Sequence, residues 1–143
     1  MAKKTVVLAS GSFDPLHIGH IAYLKAARKL GDILVVAIKG NERLKNKKGR
    51  HFMKEDERKA VLEALKYIDK VVIMDSSKGM DMSPLSAIAF VRPNIYATGE
   101  SKNVALDLIG KIYHVKIKYG VGGKRIRSSS ELLKEYYRTP WEK

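Results

Sequence analysis

The 143-residue chain has no cysteine and no glutamine. Without thiols it can form no disulfide, offer no thiolate to a metal and use no cysteine nucleophile. It has no long apolar run and no signal-peptide pattern, so a soluble, cytoplasmic protein with no membrane partner is expected. Several common signatures are missing too: a G-x-S-x-G nucleophile elbow, a Walker lysine motif, and helix-turn-helix or zinc-finger spacings. Acids are scarce, with 15 Asp and Glu against 28 Lys and Arg, for a net charge of +13. Such a balance favours anionic partners, whether nucleotides, phosphorylated metabolites or nucleic acid. The missing glutamine, beside plentiful Lys, Arg, Glu and Ile, leans the composition toward that of a thermophile.

What is present has an alternating order. "TVVLAS" reads as a strand, "HIAYLKAARKL" as a helix ended by Gly31-Asp32, and "ILVVAIK" as a buried second strand. "KEDERKAVLEALKYI" has helical periodicity, and "KVVIM" makes a third strand. "SPLSAIAFV" is a helix opened by Ser83 with Pro84 at its first position. "NIYAT" is read as a fourth strand, "KIYHVKIK" as a fifth and "SSSELLKEYY" as a last helix. Strand–helix repetition with short connections predicts an α/β, Rossmann-like three-layer sandwich with a mainly parallel five-stranded sheet. The length suits one domain over residues 1–143, with a C-terminal tail from about 137.

Charge is unevenly spread. Lys39, Arg43, Lys45, Lys47, Lys48 and Arg50 crowd one segment against a single acid, Glu42, and residues 111–127 contain no acid. The most specific pattern is "GSFDPLHIGH", residues 11–20, where the first strand passes into the first helix. In parallel sheets ligands bind beyond this end of the strands. Gly11 permits close approach to the main chain, Asp14-Pro15 favours a turn, and the helix N-terminus offers N–H groups to an anion. His17 and His20 are three apart, so one helical turn brings them near one face. There the imidazoles can donate to phosphate oxygens and stabilise charge in a transition state, or alternatively bind a metal.

Gly11-x-Phe13-Asp14-x-x-His17-x-Gly19-His20 resembles the signature of the nucleotidyltransferase superfamily that includes cytidylyltransferases and small-metabolite adenylyltransferases. "KKGRHFMKEDERKAVLEALKYIDKVVI" is similar to the lysine-bearing loop and helix of glycerol-phosphate cytidylyltransferases and sugar-phosphate adenylyltransferases. "RPNIYATGE" sits where those proteins have a nucleotide-binding Gly-acidic turn, and "IRSSSELL" resembles their second, Ser/Thr-rich signature. The resemblance implies that the phosphate of a small metabolite attacks the α-phosphorus of a nucleoside triphosphate in line, releasing pyrophosphate. Positioning and charge stabilisation suffice for such chemistry.

Roles follow by position. The resemblance makes His17 and His20 the triphosphate-binding, catalytic pair and Lys47 the loop lysine reaching the phosphates, with Lys45 and Lys48 as competitors. Gly11, Ser12, Phe13, Gly19, Gly99 and Glu100 are expected beside the nucleotide. Arg127, Ser128, Ser129 and Ser130 are expected at its phosphates, although Ser enrichment at a helix start is explained by capping as well. Asp14 matches an aspartate that shapes the loop or approaches the acceptor, and Arg58 an arginine that contacts a substrate. No protein metal site is implied; Mg²⁺ would be held mostly by phosphates and water. ATP and a sugar or polyol phosphate are the favoured substrates, while "FDPLH" resembles adenylyltransferases for pantetheine phosphate, nicotinamide mononucleotide and FMN. Homo-oligomerisation is left open. The rival from another class is a basic nucleic-acid-binding module, suggested by charge alone and opposed by the lack of interleaved aromatic platforms.

Overall fold

A computed structural model describes residues 3–41, 51–74, 83–125 and 127–138. Among the described residues five strands alternate with five helices: β1 (Val6–Gly11), α1 (Ile18–Arg28), β2 (Ile33–Lys39), α2 (Glu55–Glu63), β3 (Lys70–Met74), α3 (Pro84–Val91), β4 (Ile95–Ala97), α4 (Val104–Tyr113), β5 (Lys116–Lys118) and α5 (Ser129–Tyr137). The sheet order is β3-β2-β1-β4-β5, and every pairing is parallel. β2 is buried at its five central residues, which explains why "ILVVAIK" is continuously apolar rather than alternating.

Two cores sandwich the sheet. On one face Leu24 and Ala27 of α1 and Leu62 of α2 pack with Val7, Val36 and Ile38. On the other, Ala87 and Ile88 of α3 and Leu106 of α4 pack with Leu8, Val35 and Tyr96. This is the expected α/β, three-layer, Rossmann-like arrangement. Helix starts follow local chemistry: Ser83 Oγ accepts from the Ser86 N–H, with Pro84 at the first helical position.

The fifth strand departs from expectation. Residues 111–113 end α4 instead of extending β5, which is only Lys116–Lys118. The helix is nucleated upstream, where Asn103 Oδ1 accepts from the N–H groups of Ala105 (2.8 Å) and Leu106 (3.2 Å). It stops at His114 in the left-handed region (φ 56°). Gly110 is required there, since a Cβ would stand 2.7 Å from the Val115 carbonyl oxygen. The second predicted helix also stops early, at Glu63, because the following turns tighten: Leu65 N–H bonds the Leu62 carbonyl, and Ile68 that of Leu65.

The chain steps outward from β1 through β2 to β3, then crosses to β4 and β5 on the other side of β1. That reversal leaves a crevice at the carboxyl ends of β1 and β4.

Candidate active site

A cleft of about 910 Å³ fills that crevice. Its walls bring together the ends of β1 and β4, the turn into α1, the glycine-rich segment after β5 and the start of α5. Gly11, Ser12, Phe13, His17, Gly19, His20, Gly99, Glu100, Arg127, Ser128, Ser129 and Ser130 all line it. These segments are far apart in sequence, so their convergence is a property of the fold.

The two histidines cap their own helix. His17 Nδ1 accepts from the Gly19 N–H (3.1 Å), and His20 Nδ1 accepts from the His17 N–H (3.2 Å), a capping box made of imidazoles. The rings stack with centroids 3.7 Å apart, and Phe13 meets His20 edge-on at 4.8 Å. A neutral imidazole that accepts at Nδ1 carries its proton at Nε2. Each ring that accepts at Nδ1 therefore carries its proton at Nε2, and both rings line the cleft. Gly19 makes this possible, for a Cβ there would meet His17 Cε1 at 2.9 Å. Burial, then the charges of Arg125 and Arg127, lower the His17 pKa below the usual histidine value, keeping it a neutral donor.

Positive charge surrounds the pair. Among the described residues, Lys39, Lys124, Arg125 and Arg127 line the cleft, against one carboxylate, Glu100. Arg127 also contacts Glu135 at 3.2 Å on the exposed side of α5. The serines divide their work: Ser128 Oγ caps α5 by accepting from the Glu131 N–H, while Ser129 Oγ donates to the Pro15 carbonyl (2.8 Å). The second bond ties α5 to the histidine turn. Lys45, Lys47 and Lys48 lie outside the described residues.

Asp14 and Arg58 are buried beside the turn. Neither lines the cleft, and they are 2% and 0% exposed. Both Asp14 carboxylate oxygens accept main-chain N–H groups, from Phe52 and Met53, each at 2.6 Å. Arg58 donates to the carbonyls of Lys39 (2.6 Å), Ser12 (3.0 Å) and Met53 (3.0 Å), and to Asn41 Oδ1. With these polar atoms bonded to main-chain groups, both residues brace the turn, the loop-shaping alternative expected for Asp14. The brace flanks Phe13, a left-handed residue (φ 51°). Gly11 serves the same turn, since a Cβ there would press on the Phe13 ring at 3.0 Å.

The sequence reading missed Tyr23, Tyr96, Thr98 and Gly122, all in the cleft wall. Gly122 was detectable in "YGVGG": its φ is +92°, and a Cβ would lie 2.8 Å from Tyr23 Cα. The two tyrosines resemble ordinary core residues in sequence.

A parallel sheet with an imidazole pair and a basic wall at its switch point has the make-up of a site for an anionic ligand in a Rossmann-like fold. Comparisons make this specific. The family model described as cytidylyltransferase-like matches residues 8–136. The chain is 42% identical over 98 residues to the bifunctional protein HldE of Syntrophotalea carbinolica, covering 67% of this chain and 19% of that protein. It is 33% identical over 129 residues to HldE of Campylobacter jejuni subsp. doylei, covering 86% of this chain and 27% of the relative. A crystal structure of the lipopolysaccharide core biosynthesis protein from Thermoplasma volcanium superposes with a TM-score of 0.70 at 28% identity, covering 87% of this chain and all of the other. The chain belongs to the cytidylyltransferase-like family of nucleotidyltransferases. It spans about a fifth to a quarter of the length of the curated relatives it matches.

Proposed function

We propose that the chain transfers a nucleoside monophosphate from a nucleoside triphosphate, ATP in preference, to the phosphate of a small sugar or polyol, releasing pyrophosphate. The observation that carries the proposal is the histidine pair, whose Nδ1 atoms are tied to main-chain N–H groups and whose rings line a basic cleft.

An acceptor phosphate oxygen attacks the α-phosphorus, the bond to the bridging oxygen breaks, and the electron pair leaves on pyrophosphate. Negative charge grows on the α-phosphate oxygens and the leaving group, where preorganised donors act most strongly. His17 and His20 supply those donors; Arg125, Arg127 and the start of α5 hold the β- and γ-phosphates. Mg²⁺ held through the triphosphate oxygens would neutralise part of their charge. Among the described residues the cleft wall has no carboxylate group besides Glu100, which suits a cation bound through phosphates and water.

The sugar-phosphate preference rests on the resemblance of residues 47–73 to sugar- and polyol-phosphate enzymes. The structural neighbour, described as a protein of lipopolysaccharide core biosynthesis, supports a carbohydrate product. The test is pyrophosphate release with each of the four ribonucleoside triphosphates, Mg²⁺ and a panel of phosphorylated sugars, polyols and cofactor precursors. Release with ATP and a sugar or polyol phosphate is expected. Release only with a cofactor precursor moves the acceptor to that class. No release and no triphosphate-dependent rise in melting temperature would overturn the enzyme reading.

A further inference from the structure

The ladder between β1 and β4 stops early. It pairs Val7 with Ile95 and Leu8 with Tyr96, whereas β1 continues to pair with β2 as far as Gly11. In a parallel ladder an N–H bonds the carbonyl one residue before its cross-strand partner. Continuing the register would send the Ser10 N–H to the Ala97 carbonyl. Instead, the Ser10 N–H donates to the Tyr23 hydroxyl (3.3 Å), and that hydroxyl donates to the Ala97 carbonyl. Tyr23 reaches in from α1 and takes the place of one rung.

We infer that Tyr23 is a positioning residue whose hydroxyl, as a spacer between β1 and β4, holds the cleft open where the nucleoside binds. Both main-chain groups keep a partner, so the strands part without leaving a buried polar group unpaired. Two further contacts fix the spacer. Ser10 Oγ bonds the Tyr96 hydroxyl at 2.7 Å beside it, and Gly122 lies so close to the Tyr23 backbone that no side chain fits. One residue thereby sets β1, β4 and the glycine-rich segment relative to the histidine turn at the head of its own helix. Its phenol is held well above the usual tyrosine pKa by burial and by the neighbouring Tyr96, so it remains a protonated donor.

The inference rests on the nucleotidyltransferase reading only for what enters the cleft. Removing the hydroxyl lets Ser10 and Ala97 bond directly, drawing the strands together by roughly 2 Å, the difference between two hydrogen bonds in series and one. Tyr23→Phe is therefore expected to raise the KM for ATP or CTP about tenfold and to change kcat less than threefold. Tyr119→Phe is the control. It too loses a bridging hydroxyl, to Asp107 Oδ1 and the Asn103 carbonyl, from a tyrosine that does not line the cleft. It should lose melting temperature and keep the parent KM. Equal KM in Tyr23→Phe and an active parent overturns the positioning role. A crystal structure of Tyr23→Phe decides independently of activity: direct Ser10–Ala97 pairing supports the spacer, and parent-like separation refutes it. A parent that neither binds nor turns over triphosphate refutes the proposed function, and the crystal structure then decides the spacer alone.

Discussion

Asp14→Asn separates a buried brace from a substrate contact. In the parent, both carboxylate oxygens accept N–H groups from consecutive residues at 2.6 Å, and the side chain is 2% exposed. Asparagine keeps the volume and one acceptor but turns an NH2 group toward the second N–H. Losing a charge-assisted hydrogen bond and leaving a buried donor unpaired together cost about 2–4 kcal/mol. The negative charge facing the Arg58 guanidinium also goes, which acts in the same direction. For a domain of this size the melting temperature should fall by roughly 10 °C. Urea unfolding followed by circular dichroism gives the free energy directly, provided the slope with denaturant is unchanged. An acceptor contact would look different: the variant would melt with the parent and show a raised KM for the phosphorylated acceptor alone. A loss below about 1 kcal/mol would refute the brace, because no arrangement of Asn satisfies both N–H groups in that buried place.

Other expectations follow from the same geometry. His17→Ala and His20→Ala should each lower kcat by about two to three orders of magnitude, the usual loss for one preorganised donor, in steady-state assays of pyrophosphate release; parent-like turnover would remove the pair from catalysis. His17 is held below its unfolded pKa of 6.5, so its contribution to stability is complete above that pH. As pH falls through 6.5 the unfolded chain takes up a proton that the folded site refuses, and stability declines. His17→Asn keeps a capping side chain without titrating, so its unfolding free energy between about pH 7 and 5.5 should fall less than the parent's; parallel curves would refute the shift. Ser128→Ala should cost about 1 kcal/mol in chemical unfolding as a lost cap. Ser129→Ala, which unties α5 from Pro15, should instead appear in the KM for triphosphate, and equal kinetics in both variants would leave the run as a cap only.

Much of this was legible locally. The strand "ILVVAIK" declares burial on both faces, and Ser83-Pro84 announces a helix start, since a few neighbouring residues decide each outcome. The motif from Gly11 to His20 also pointed to the turn that lines the cleft, because that turn needs small, aromatic and imidazole groups within ten residues of one another. Residues 111–118 misled because "KIYHVKIK" alternates plausibly, while the cap that commits its first part to helix is eight residues upstream at Asn103.

Arg58 shows what local pattern could not reach. On α2 its position by resemblance implies a substrate contact, yet its guanidinium bonds carbonyls 5, 19 and 46 residues away. Tyr23 has the spacing of a helix residue facing the core, and its partners lie 13 and 74 residues away. Sequence alone determined the order of the elements other than α4, the basic character and the histidine turn, because short-range sterics, capping and charge govern those. Tertiary structure alone decided that an aspartate and an arginine brace the turn from below and that a tyrosine hydroxyl parts two strands above it. A buried hydrogen-bonding group is fixed by whichever unpaired donors and acceptors the packed chain brings to it, and those come from segments that only the folded sheet sets side by side.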